Sequence, residues 1–361
     1  MRIRENVPIS ELTTMRLGGD ARYVFEVDEL ADLPKAYEFA KERNLPTWIM
    51  GSGANTIGKD AGFDGVIILN RLRGIEVISQ TADEVVIRAM GGEIWDDLVE
   101  FACQRGYSGV EAMSKIPGTV GAAPVQNIGA YGQDMSQVIE NVEVFDTRGT
   151  DVSDANVSDA NVSDADASDA DALKILGKSE LEMSYRSTIF NTGKDAGRYF
   201  IVAVTLVLEN EPTLEPPFYA SLQKYVEEHN ITDYSPISIR NCVSHIRANK
   251  LPDPDKIPSA GSFFKNIFLT DGQAEKAEKR GIKVWKRPDG KKMINSGFLI
   301  ENAGLKGREF YGFRVSDKAA LILINESAKS YVDLEKARSE IRKIVFEKYG
   351  FELEQEPVEI P

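Results

Sequence analysis

The stretch Ile116-Pro-Gly-Thr-Val-Gly-Ala-Ala-Pro-Val-Gln-Asn-Ile-Gly-Ala-Tyr-Gly132 decides how this chain of 361 residues is read. It holds four glycines, three alanines, two prolines and no charged side chain. Gly and Pro are the poorest helix formers, so the run is not an ordinary helix. Small residues let backbone come close to a flat or anionic group. A second such segment, Met50-Gly-Ser-Gly-Ala-Asn-Thr56, lies upstream. A loop after a strand offers successive N–H groups to phosphate oxygens. No Gly-Lys-Ser/Thr follows it and the G-x-G-x-x-G spacing is absent, so neither common phosphate fingerprint applies. Alone, this loop reads as a plain turn. Paired with 116–132, it points to a large nucleotide cofactor held mainly by main-chain amides.

Composition narrows the classes. Apolar residues are 42% of the chain, enough to bury the cores of two or three domains. No run approaches the roughly 20 apolar residues of a membrane helix. The opening Met-Arg-Ile-Arg-Glu-Asn lacks the apolar stretch of a secretory signal. The two cysteines, Cys103 and Cys242, fall singly in helix-like segments, which argues against structural disulfides and for a reducing cytoplasm. Two cysteines and two histidines, far apart in sequence, do not make a zinc or iron–sulfur site. The net charge is −14, and half of it comes from the seven aspartates between Asp151 and Asp171. With no basic stripe, nucleic-acid binding is disfavoured.

The segment 154–173 repeats every five residues (DANVS, DANVS, DADAS, DADAL), a period of neither helix nor strand. It has too little apolar bulk to offset its ordering entropy. It reads as a mobile surface insertion; calcium binding is the alternative, against which stands the lack of repeat-loop glycines. Elsewhere strands and helices alternate. Strands are expected at 21–27, 47–50, 66–70, 75–79, 84–90, 138–146, 199–208 and 320–324, and at the C-terminus. Helices are expected at 29–43 (capped by Asp28), 94–104 (stopped by Gly106), 219–229, 235–249, from Gly272, and at 332–348. The proline cluster in 210–217 reads as a domain boundary. The order is mixed α+β, not a repeated βαβ series.

Further segments carry reactive groups. In Tyr185-Arg186-Ser-Thr-Ile-Phe190, one arginine sits among strand formers. Its guanidinium either clamps a carboxylate bidentately or makes a surface ion pair. In Ala260-Gly-Ser262-Phe-Phe-Lys265-Asn266, a serine precedes two aromatics: an exposed hydroxyl over a buried platform, or simply a strand start. No G-x-S-x-G elbow is present, which argues against a serine hydrolase. The ending Phe351-Glu-Leu-Glu354-Gln-Glu356-Pro-Val-Glu-Ile alternates apolar and acidic groups, and composition alone gives Glu354 and Glu356 no role.

Together, Thr13-Thr-Met-Arg-Leu-Gly-Gly19, the two glycine segments, Tyr-Arg-x-x-Ile-Phe, Lys250-Leu-Pro-Asp-Pro254, Ala-Gly-Ser-Phe-Phe-Lys-Asn and the late Leu-Ile-Leu-Ile-Asn strand resemble the UDP-N-acetylenolpyruvoylglucosamine reductase family of bacterial peptidoglycan synthesis. The resemblance runs from residue 13 to the C-terminus, broken only by the acidic repeat. It implies a two-part FAD-binding unit of the vanillyl-alcohol-oxidase type, at 1–70 and 71–212 with the insertion 151–173. An α+β substrate-binding domain would span 213–335, and a C-terminal helix and strand at 336–361 would complete the active site. The segment from Leu214 to Val226 resembles the loop of the longer subclass, which closes a tyrosine, here Tyr219, over the sugar nucleotide.

The resemblance also implies chemistry. Hydride would pass from NADPH through non-covalent FAD to the terminal alkene carbon of the enolpyruvyl sugar nucleotide. That leaves enolate-like charge beside the substrate carboxylate, which needs preorganised donors in a dry site. The residues matching the family's catalytic positions are Arg186, Ser262 and Glu356, with Glu354 on the same face as the alternative carboxylate. A carboxylic acid serving there would need a raised pKa. Serine is a weak acid, yet a carbanionic carbon is basic enough to take its proton. Implied cofactor contacts are Gly51, Ser52, Gly53, Ala54, Asn55 and Thr56 in the first segment. In the second they are Pro117, Gly118, Thr119, Gly121, Ala122, Gln126, Asn127, Gly129, Ala130, Tyr131 and Gly132. Tyr185, Tyr219, Lys250 and Asn266 match substrate contacts. A cytoplasmic monomer with a small-molecule substrate, and no metal, membrane or nucleic-acid partner, is expected. No 2′-phosphate pocket is legible, so NADPH over NADH rests on the resemblance alone. Two rivals are an oxidase of the same fold, which would often tether flavin through His or Cys, and a non-catalytic sugar-nucleotide-binding protein.

Overall fold

The central strand of the larger sheet, Tyr199–Asn210, reads YFIVAVTLVLEN and is buried from Phe200 to Leu206 and again at Leu208. Such a continuous apolar run is how a strand covered on both faces looks. In this computed structural model, which describes residues 1–148, 172–212, 214–287 and 290–361, it anchors a sheet in the order Leu173–Gly177, Ile139–Asp146, Tyr199–Asn210, Glu84–Met90, Ile75–Gln80. Every pairing in that sheet is antiparallel. The expected pair at 75–79 and 84–90 is there. The strands flanking the acidic repeat pair directly with each other. The repeat itself lies outside the described residues, except that Ala172 is buried and Leu173 opens a strand.

By compactness the described chain divides into two units. The first contains Met1–Val7, Ala21–Ser52 and Asp64–Arg247. Besides the large sheet it has a four-stranded sheet in the order Arg2–Pro8, Asp20–Val27, Phe63–Asn70, Thr47–Met50, whose last two strands are parallel. The helix Leu33–Glu42 covers it through Leu33, Ala36, Tyr37 and Ala40. The helix Trp95–Gln104 is buried along Trp95, Leu98, Val99, Ala102 and Cys103, the helical spacing of an inward face.

The helix expected at 29–43 begins later. Leu30–Asp32 is a 3-10 turn, and Asp28 caps nothing. Pro34 occupies the first helical turn, where its missing N–H costs nothing. Asp32 meanwhile pairs with the Met1 amine at 2.7 Å and Lys35 at 3.1 Å. Arg2–Pro8 is a further strand, and its exposed positions carry no apolar alternation that would mark it in the sequence. The first unit also runs past the proline cluster to Arg247. Helices Ala220–Glu228 and Pro236–Lys250 pack through Leu222, Val226, Ile239, Val243 and Ile246, with Tyr131 against them.

The second unit contains Pro8–Asp20, Gly53–Phe63 and Ala248–Pro361. It has a four-stranded sheet (Ser259–Ser262, Ile322–Asn325, Phe313–Val315, Glu309–Phe310) and a three-stranded one (Ile267–Leu269, Lys292–Ile294, Trp285–Lys286). The helix Tyr331–Tyr349 starts on a Ser330 side-chain cap and ends at Gly350 with φ +71°. It buries Leu334, Ala337, Ile341 and Val345. The expected terminal strand is short. Val358–Glu359 pairs in parallel with Thr56–Ile57, and Gln355 makes one isolated bridge to Phe264. Pro357, between them, has no N–H to give to a ladder.

Candidate active site

In the first unit, the glycine-rich stretch is laid onto the large sheet by backbone contacts. Gly121 N–H donates to Gly91 O at 2.8 Å, and Gly91 N–H to Val202 O at 2.7 Å. A Cβ on Gly91 would stand 2.3 Å from Ile201 O, so only glycine permits this approach. Gly51 is close-packed against a side chain: its Cβ would fall 2.5 Å from Thr119 Oγ1. Further on, Gly129–Ala130 pairs with Gln133–Asp134, and the two tip residues, Tyr131 and Gly132, have φ +48° and +93°. Positive φ at both positions is what a type I′ hairpin requires.

Arg186 occupies a second tip. Ser184 and Ser187 bond each other's backbone, leaving Tyr185 and Arg186 at the turn, with Arg186 at φ +54°. The guanidinium donates to Asn127 O at 3.3 Å and lies 5.2 Å from the Tyr185 ring. Asn127, itself at φ +43°, donates through Nδ2 to Ser184 O and accepts from Ser136 N–H. Thr188 Oγ1 donates to Val125 O at 2.8 Å. The Arg186 turn is thus tied to the glycine-rich stretch at several points. Left-handed conformations in non-glycine residues are strained and persist only where their surroundings over-determine them. Here Lys115, Asn127, Tyr131 and Arg186 all adopt them. Tyr219 is exposed and meets Tyr131 edge-on, with centroids 5.9 Å apart.

Sequence reading missed the clamp that starts this stretch. Asp96 Oδ1 accepts the Lys115 N–H at 2.6 Å, and the same carboxylate takes Lys115 Nζ at 2.7 Å. Arg240 grips Asp96 bidentately, at 2.6 and 3.0 Å, from a buried position. Burial pushes the Asp96 carboxyl up, but the bonds from Arg240 and Lys115 prevail and hold it well below the usual carboxylate range. Arg247 Nη2 donates to Lys115 O at 3.1 Å. No local pattern marks a pair 144 residues apart in the chain.

In the second unit, three backbone links collect the other candidates. Glu356 N–H donates to Phe263 O at 3.0 Å, next to Ser262. Lys265 N–H donates to Glu354 O at 2.8 Å, and Lys265 Nζ pairs with the Glu354 carboxylate at 2.5 Å. Val358 N–H donates to Asn55 O at 2.9 Å, which joins this segment to Gly53–Thr56. Gly53 has φ +71°, and a Cβ there would be 2.0 Å from Leu12 O. Thr14 Oγ1 bonds both Ser259 O at 2.6 Å and Ala54 O at 3.3 Å. Asn266 Oδ1 accepts from Ser296 N–H at 3.2 Å. Lys250 ends its helix exposed. The structure therefore brings Ser262 and Glu356 together within the second unit, and Arg186, Tyr185 and Tyr219 belong to the first.

Residues 21–153 match the FAD binding domain family. Residues 253–360 match the UDP-N-acetylenolpyruvoylglucosamine reductase C-terminal domain. Among curated relatives, the UDP-N-acetylenolpyruvoylglucosamine reductase of Pseudomonas putida is 30% identical, over 98% of both chains. That of Alcanivorax borkumensis is 33% identical, over 89% of this chain and 86% of the relative. This chain belongs to the UDP-N-acetylenolpyruvoylglucosamine reductase family. The crystal structure of UDP-N-acetylenolpyruvylglucosamine reductase from Thermus caldophilus matches over 100% of both chains, with a TM-score of 0.66 and 21% identity. That likeness speaks to the fold, which is α+β, with the FAD binding domain match lying in its N-terminal part.

In this member of the UDP-N-acetylenolpyruvoylglucosamine reductase family, the chain's own atoms suit FAD. Thr119 Oγ1 is buried with no hydrogen-bond partner among the described residues. A buried hydroxyl left unpaired is costly, and a nucleotide cofactor would supply its partner. Gly118, beside it, has φ +142°, and a Cβ there would meet nothing within 4 Å. Both features fit a flavin nucleotide lying on the 117–132 stretch. Thr13 Oγ1, in the second unit, is a second buried hydroxyl without a partner among the described residues.

Proposed function

We propose that Arg186, Ser262 and Glu356 carry the substrate half of this family's reaction, and that the residues of 51–56 and 117–132 named above hold the flavin. The chain is an NADPH- and FAD-dependent oxidoreductase. It reduces UDP-N-acetyl-3-O-(1-carboxyvinyl)-glucosamine to UDP-N-acetylmuramate for peptidoglycan precursor synthesis. The residues of 51–56 and 117–132 would hold FAD, which would supply the hydride-transfer chemistry between NADPH and the alkene.

What the protein must then do is steady the charge that gathers beside the substrate carboxylate and return one proton. Arg186, fixed at its turn tip, offers a planar fork of donors to that carboxylate. Glu356, in its protonated form, donates a hydrogen bond to the developing enolate oxygen. Ser262 Oγ gives its proton to the carbon that carries the carboxylate, which a strongly basic carbon can accept. Tyr185 and Asn266 would orient the sugar nucleotide, Lys250 would meet phosphate as a point charge, and Tyr219 would close over it.

The observation that carries the choice of Glu356 is its backbone bond to Phe263, beside Ser262, while Glu354 is 73% exposed and spent on Lys265. We place the functional partition at residues 70, 212 and 335. The enzyme would work as a cytoplasmic monomer and serve cell-wall growth, shape and division. Arg186→Lys tests the role of the fork: a lysine keeps the charge and loses the bidentate geometry. Substrate-dependent NADPH consumption should fall by on the order of 10²-fold while flavin stays bound. An unchanged rate would remove Arg186 from the site.

A further inference from the structure

The segment that bears Glu356 is gripped from behind by one side chain of the long helix. Arg338, only 17% exposed, donates through Nη1 to Gln355 Oε1 at 2.6 Å and to Glu359 Oε1 at 2.6 Å. Its Nη2 lies 3.4 Å from the Tyr331 hydroxyl. Gln355 closes the ring: its Nε2 donates to Pro357 O at 2.9 Å and to Glu359 Oε1 at 3.2 Å. Glu356 is the residue enclosed between Gln355 and Pro357. On the other side its N–H is held by Phe263 O, and Val358 N–H and Ile360 N–H are held by Asn55 O and Ile57 O. Pro357 removes one ladder bond in this stretch, so backbone pairing alone leaves a gap. The guanidinium spans that gap from residue 355 to residue 359.

We propose that Arg338 is a positioning residue for the substrate half-reaction: it fixes the register of residues 355–359 and thereby the place of the Glu356 carboxyl beside the Ser262 motif. This rests on Glu356 being the carboxyl that serves the substrate. Arg338 touches no reacting atom. Its contribution is geometric, and displacing a catalytic group by about 1 Å costs on the order of 10²-fold in rate. Lysine at 338 keeps the charge but has no second nitrogen to hold the Tyr331 hydroxyl while the first serves Gln355 and Glu359, so it should restore only part of the rate.

The test is rapid-mixing kinetics of the flavin-loaded enzyme. Arg338→Met should leave flavin reduction by NADPH at the parent rate and slow reoxidation by the enolpyruvyl sugar nucleotide by on the order of 10²-fold, with substrate KM little changed. Arg338→Lys should recover part of that loss. In a Glu356→Gln background, Arg338→Met should add nothing further, because the group it positions is already gone. Without any ligand, amide hydrogen exchange across 352–361 should be faster in Arg338→Met than in the parent. Should Arg338→Met fold poorly, Gln355→Leu, which keeps the cation and removes its acceptor together with the Nε2 bonds to Pro357 and Glu359, should give the same split.

Reoxidation at the parent rate in Arg338→Met and Gln355→Leu overturns the proposal. An equal Arg338→Met effect in the parent and Glu356→Gln backgrounds also overturns it, and so does unchanged exchange at 352–361. A parent-like Glu356→Gln would instead fell the reading of Glu356, and the role of Arg338 with it.

Discussion

Two clamps hold the two candidate halves, and they are built differently. In the first unit, Lys115 at the mouth of the glycine-rich stretch is tied by Asp96, which is itself tied by Arg240, a side chain 4% exposed. In the second unit, the Glu356 segment is tied by Arg338 to Gln355 and Glu359, side chains that keep partial access to water. A buried ion pair is costly to break, because the surviving charge is stranded. A pair that keeps some access to water costs less stability when lost, since water reaches the surviving charge. On the proposed reading, losing the first clamp should cost stability and flavin retention, and losing the second mainly the rate of one step.

Removing the buried cation should break the comparison most visibly. Arg240→Ala leaves Asp96 without its bidentate partner and should destabilise the protein by about 3 kcal/mol, with loss of bound flavin. Thermal unfolding and the visible flavin absorbance of the purified protein check this together. A stable, yellow Arg240→Ala protein would mean that the Lys115 clamp is dispensable.

Gly53→Ala comes next. It needs φ +71° and would push a Cβ to 2.0 Å from Leu12 O. A cost of about 2 kcal/mol and weaker flavin retention are expected in the same assay. Acid titration sharpens the contrast further. Asp96, and Asp146 at about 2, are held below their ordinary pKa although burial opposes it, because Arg240 and Lys115, and Arg198 and Lys174, respectively, bond their charged forms. A depressed pKa gives stability that is complete above about pH 4 and lost as pH falls through the folded value. Unfolding followed from pH 5 to pH 2 should show a steep loss below pH 4, shallower in Asp96→Asn. The smallest effect belongs to Glu354→Gln. Its exposed pair with Lys265 is worth less than about 1 kcal/mol, and both half-reactions should stay at parent rates. A slowed substrate step there would shift the catalytic carboxyl from Glu356 to Glu354.

Much of the fold and of the candidate site could be read from residues, for identifiable reasons. Tyr199–Asn210 announces itself by a long apolar, β-branched run, and Ile139–Asp146 by its Ile, Val and Phe residues set among Glu and Asn. The 116–132 stretch announces itself by residues that serve no other structure well. What could not be read lies in long-range pairing. Nothing local links Asp96 to Arg240, or Arg338 to Gln355 and Glu359. The N-terminal strand carries no period-two signal, and Pro34 set the start of its helix against the more obvious Asp28 cap. The choice between Glu354 and Glu356 was open in the sequence, because both fit one alternation. The structure distinguishes them by their partners: Glu354 pairs with Lys265, and Glu356 N–H donates to Phe263 O.

The most direct test of the account is rapid mixing of flavin-loaded Ser262→Ala, with flavin absorbance followed in each half-reaction separately. The account predicts that NADPH bleaches the flavin at the parent rate, while the enolpyruvyl sugar nucleotide restores the colour slower by on the order of 10²- to 10⁴-fold. Recovery of colour at the parent rate would contradict it.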